Sequence, residues 1–78
     1  MLKLKDFVLD GNILSMTVLI EGDEEQAYRM SVDVTTEYFD VVSSEFSDYE
    51  IMYERQACMA LTRYRGKELP EVITSRWY

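Results

Sequence analysis

Histidine is absent from this 78-residue chain, and cysteine, proline and tryptophan occur once each. Without histidine the chain lacks the commonest general base and a leading zinc ligand. The single Cys58 cannot close an internal disulfide. A cysteine nucleophile usually needs a neighbouring base, most often an imidazole, so Cys58 reads as an inert helical thiol. No glycine-rich phosphate loop and no nucleophile motif is present. An enzyme is therefore not expected, and neither a cofactor nor a metal is. No apolar run approaches the roughly twenty residues that a helix needs to cross a bilayer. The opening Met1–Lys5 leads into a strand pattern rather than an apolar stretch with a cleavage site, so no secretory signal is expected. The corresponding expectation is a cytoplasmic protein with a reduced thiol.

What is present is ordinary for a folded chain: 47% hydrophobic and 29% charged residues, enough for one domain with one small core. The charge is unevenly spread. The net charge is −7, yet residues 6–54 carry net −12 with Arg29 as their single base, and residues 55–78 carry net +3. Phosphates would be repelled by the acidic stretch, so direct nucleic-acid binding is not expected. Basic protein surfaces or cations suit it better.

The stretch Phe46-Ser47-Asp48-Tyr49-Glu50-Ile51 carries the clearest local signal. Ser47 and Glu50 have the spacing of a capping box, and Phe46 and Ile51 that of a hydrophobic staple. A helix is predicted over about residues 48–65. Tyr49, Tyr53, Ala57, Ala60, Leu61 and Tyr64 form its buried face, flanked by Met52 and Met59, and Gly66 provides its left-handed stop. Upstream the pattern is β. Strands are predicted over about 2–9, 13–20, 26–34 and 38–43. Gly11-Asn12 suits a two-residue hairpin loop, and this register would turn Lys5 toward the core unless one extra residue intervenes. A β-bulge at about Lys5-Asp6 is therefore predicted, setting Leu4 opposite Val18 and Leu2 opposite Ile20. After Pro70 the tail, residues 69–78, reads as an irregular or short helical segment, with a short edge strand as the alternative and Trp77 covering one end of the core. The fold class is thus α+β: a four-stranded antiparallel meander packed on one side by a single C-terminal helix, followed by a short tail.

The remaining residue clusters have plain readings. The acidic run Glu21-Gly22-Asp23-Glu24-Glu25 lacks the spaced acids and distal Glu of a calcium loop and reads as a solvated hairpin tip. Glu50 and Glu54, one helical turn apart, complement the helix dipole, and no pocket for two-carboxylate chemistry is expected in so small a domain. One helix covers only one face of a sheet. Val8, Ile13 and Leu19 on the reverse face, with Ile51 and Cys58 on a second helix line, are left as the candidate interface. The expected function is a small acidic protein–protein interaction module that associates with a protein partner or with itself as a homodimer. The alternative is a nucleic-acid mimic that inhibits a DNA-binding protein. It is disfavoured because mimicry needs rows of acids at phosphate-like spacing, and the predicted strands carry few.

Overall fold

The computed structural model describes residues 1–22 and 24–76. The chain runs through β1 (Leu2–Asp10), β2 (Ile13–Ile20), β3 (Gln26–Asp33) and β4 (Val41–Ser44), a single 3-10 turn (Asp48–Glu50), α1 (Ile51–Thr62) and β5 (Val72–Ser75). All neighbouring strands are antiparallel, and the sheet order is β4-β3-β2-β1-β5. The architecture is α+β with a single helix near the C-terminus, but the sheet has five strands rather than the expected four.

The β1–β2 hairpin follows its sequence signals. Gly11 alone takes a positive φ in the loop, at 61°, the pattern of a II′ turn. Leu9 pairs with Leu14, Leu4 with Val18 and Leu2 with Ile20. Between the pairs Lys5–Thr17 and Val8–Ser15, β1 has two residues, Asp6 and Phe7, where β2 has only Met16. This is the bulge. Asp6 adopts a φ of 56°, a left-handed conformation that aspartate tolerates better than most side chains. The extra residue leaves Asp6 in solvent, packs Phe7 against the core and keeps Leu2 and Leu4 fully buried.

The tail corrects the sequence reading. Residues 72–75 form neither a helical turn nor an irregular segment; they pair with β1 from Lys5–Val72 to Leu2–Ser75. Val72, Ile73 and Thr74 are all β-branched, a composition that both readings could accommodate. The decision comes from β1, whose far edge would otherwise present unpaired backbone groups, and from the burial of Ile73 and Ser75 on the core side. The expected role of Trp77 lies outside the described residues.

The strand expected over 38–43 is also corrected. It begins only at Val41, because residues 34–40 form a looped connection. Asp33 accepts hydrogen bonds from the Thr35 amide (2.8 Å) and hydroxyl (2.6 Å), and the Thr36 hydroxyl accepts one from the Asp40 amide at 2.7 Å. Phe39 sits at φ 55° with its ring buried. Arg65 donates to the carbonyls of Thr36 (2.5 Å) and Glu37 (2.8 Å) and lies 5.6 Å above the Phe39 ring. A left-handed phenylalanine costs roughly 1–3 kcal/mol and persists only where the surroundings impose it; here ring burial and the Arg65 clamp do so.

The helix is shorter than its predicted span of 48–65. Ser47 donates its amide (3.0 Å) and its hydroxyl (2.9 Å) to Glu50 Oε1, and the Glu50 amide donates to the Ser47 carbonyl at 2.9 Å. The capping box is present, wrapped around a 3-10 turn. Gly66, at φ 74°, reverses the chain after Thr62. Ala57, Ala60 and Leu61 are buried as expected, and the small side chains of the two alanines let α1 lie close on the sheet. Tyr49 is not on the buried face; it is 94% exposed. It belongs to the 3-10 turn, where three residues per turn shift it off the stripe that an α-helical period assigns. The core joins this helix face to Leu2, Leu4, Leu14, Met16, Val18, Ile20, Met30, Val32, Phe39 and Ile73.

If the bulge rests on Asp6 accepting a left-handed backbone, Asp6→Val lowers unfolding free energy by about 1–2 kcal/mol, whereas Asp6→Gly leaves it close to wild type. Urea denaturation of the two variants measures the contrast; equal losses would refute the assignment.

Candidate interaction surface

The two faces of the sheet differ sharply. On the helix side α1 and the loops cover most apolar strand positions, though Leu9 of β1, opposite Leu14, is exposed. On the reverse side the middle is polar: the Ser15 and Ser31 hydroxyls are 2.9 Å apart, and Arg29 donates to the Thr17 hydroxyl at 3.3 Å. The apolar residues there are separated. Val8 is exposed and Ile13 half-buried near the Gly11 turn, while Leu19 lies toward the other end and is only 9% exposed. Leu19 pairs across the strands with Lys3 and Ala27, and the Lys3 ammonium is tied to Glu21 at 2.8 Å. Ile51 and Cys58 are on α1, across the sheet from Val8, Ile13 and Leu19. The five candidate interface residues therefore lie on separate surfaces of the fold.

Cys58 faces inward. Its thiol donates to the Phe39 carbonyl at 3.5 Å, and burial, reinforced by Glu54 and Asp40, pushes its pKa up to about 11. Such a thiol is protonated at neutral pH and a poor nucleophile. Among the described residues no three His, Cys, Asp or Glu side chains converge to hold a metal ion, and no helix is long and apolar enough to cross a membrane.

Glu50 ties the helix start to the sheet. The Tyr28 hydroxyl of β3 donates to its carboxylate, and the Tyr28 ring stacks on Phe46 with centroids 4.4 Å apart. Phe46 also approaches Tyr53, at 6.3 Å, while its expected staple partner Ile51 stays exposed. The Tyr28 bond, then the Ser47 amide and hydroxyl, hold the Glu50 carboxyl below its ordinary value; the same bond raises the Tyr28 phenol. The Glu50 carboxylate is engaged by Tyr28 and Ser47.

The surface that composition did not single out is the outer crest of α1. Met52 is 63% and Met59 70% exposed, two turns apart, with Ile51 exposed beside Met52. Between α1 and β5 runs a groove of about 570 Å³, lined by these three residues and by Arg55, Arg63 and Arg76 among others. Gln56 bridges its floor, donating to the Ser75 hydroxyl (2.9 Å) and the Arg76 carbonyl (3.1 Å). The signal in the sequence was the seven-residue spacing of Met52 and Met59, which reads as the margin of the buried face until the helix is docked. Arg76 could not be assigned to this surface without knowing that the tail is a strand. No protein-family model, curated protein or solved structure matches the chain.

Two outcomes follow from the titrating groups. A lowered folded pKa means that the stabilisation by Glu50 is present above its ordinary value of 4.5 and is lost as pH falls through the lower folded value. Glu50→Gln therefore melts below wild type at neutral pH, and the gap closes as pH falls below 4.5; thermal melts by circular dichroism on both sides of that value measure it, and a pH-independent gap would count against the carboxylate. For Cys58, the thiol of the folded protein reacts with a disulfide reagent at pH 8 at least about tenfold more slowly than after unfolding in denaturant; equal rates would show the thiol to be open.

Proposed function

We propose that this chain is a small protein–protein interaction module that offers the outer crest of α1 to a partner protein. The observation that carries this reading is the exposure of Met52 and Met59, two turns apart on the crest, with Ile51 alongside. These side chains contribute little to the core. Methionine adapts its shape to irregular partners, and methionine and arginine are enriched at interfaces. A second copy of the chain and a different protein are both partners of the right kind. Mimicry of nucleic acid has less to rest on: the strands carry only Asp6 and Asp10 of β1 and Asp33 of β3, not a row of acids.

The test is a Met52→Glu/Met59→Glu variant. Its unfolding free energy stays within about 0.5 kcal/mol per site of wild type, because both side chains are surface-exposed. Complexes seen by light scattering, or by affinity capture from a lysate, disappear. Complexes unchanged in the variant, or a wild-type chain that is monomeric and captures nothing, would rule the crest out.

A further inference from the structure

We propose that the groove between α1 and β5 receives an extended acidic segment of a partner protein, laid along β5 as an added strand. This rests on the reading of the chain as an interaction module and specifies the partner's chemistry.

The first support is the allocation of the arginines. The chain has five. Arg29 and Arg65 are used within the fold, donating to Thr17 and to the 36–37 carbonyls. Among the described residues Arg55, Arg63 and Arg76 make no hydrogen bond or ion pair through their guanidinium groups, and these three line the same groove. Three uncommitted guanidiniums around two exposed methionines form a locally cationic, partly apolar channel on a chain of net charge −7. At physiological salt, charges beyond about 8 Å are largely screened, so a ligand in the groove chiefly meets the three arginines that line it.

The second support is the strand edge. β5 is the last strand of the sheet and pairs only with β1 among the described residues. Its outer edge can accept main-chain hydrogen bonds from an added strand, the usual way that an exposed sheet edge captures an extended peptide. The four residues of β5 offer roughly 13 Å of edge at about 3.3 Å per residue. An added strand turns alternate side chains to the helix side, where apolar groups meet Ile51, Met52 and Met59 and the guanidiniums donate to carboxylates, in bidentate fashion where the geometry permits.

The experiment is selection of a display library of short random peptides on the full chain, followed by binding of the enriched peptide, synthesised with a fluorophore, to wild type and to Arg55→Glu/Arg63→Glu. The expected peptides alternate apolar residues with Asp or Glu. The expected binding weakens with added salt, falls at least about tenfold in the double variant, and shifts the backbone amides of residues 72–76 in NMR spectra. Thermal melts confirm that the variant is folded. Enrichment of basic or uncharged peptides, no enrichment, or amide shifts confined to other strands would each overturn the proposal. So would binding to phosphatidylserine vesicles, or self-association by light scattering, that vanishes in the double variant while no acidic peptide binds; those outcomes assign the groove to a lipid surface or to a second copy. A partner lost in Met52→Glu/Met59→Glu but indifferent to the arginines and to β5 would sink strand addition while leaving the interaction module standing.

Discussion

One extra residue in β1 governs which way the first part of the chain faces. Side chains alternate along a strand, so a one-residue slip exchanges the two faces. With Asp6 and Phe7 together opposite Met16, Leu2 and Leu4 enter the core and Lys3 and Lys5 leave it. Because β1 lies between β2 and β5, the same displacement sets the register in which the tail docks: Ile73 beside Leu4 and Ser75 beside Leu2. The groove between α1 and β5 exists because this register brings the tail under the helix.

The helix is held at both ends by contacts to the sheet and its loops. At its start Glu50 closes the cap on Ser47 and accepts from Tyr28 of β3. Beyond its end Arg65 grips the carbonyls of residues 36 and 37. Between these anchors Ala57 and Ala60 bring the helix backbone close to the strands. A helix set this close, with one face buried, must present the opposite one, and that crest is where Met52 and Met59 lie. The division of the arginines follows the same geometry: those near loops or strand faces find acceptors in the fold, and those along the crest and the outer strand do not.

Much of the architecture was legible in the chain. The Gly11-Asn12 loop, the bulge, the alternation of Tyr28, Met30 and Val32, the cap at Ser47 and the stop at Gly66 are local patterns, and each is seen within a few residues of where it was expected. The errors share a cause. Tyr49 was placed by an α-helical period that does not hold in a 3-10 turn. The strand expected from residue 38 starts at Val41 because Phe39 is turned inward by the core and by Arg65, a residue 26 positions away in the sequence. Of the candidate interface residues, Cys58 faces inward, because a helical spacing alone does not say which of its positions a neighbouring loop covers.

By itself, then, the sequence determined the periods, the turns and the sign of each stretch of charge, since these depend on residues close along the chain. The tertiary structure alone decided that Val72–Ser75 is a strand and that Arg76 joins Arg55 and Arg63 on one groove. A short β-branched segment has no strong preference of its own; its conformation is set by the vacant hydrogen-bonding edge of β1, some seventy residues earlier in the chain.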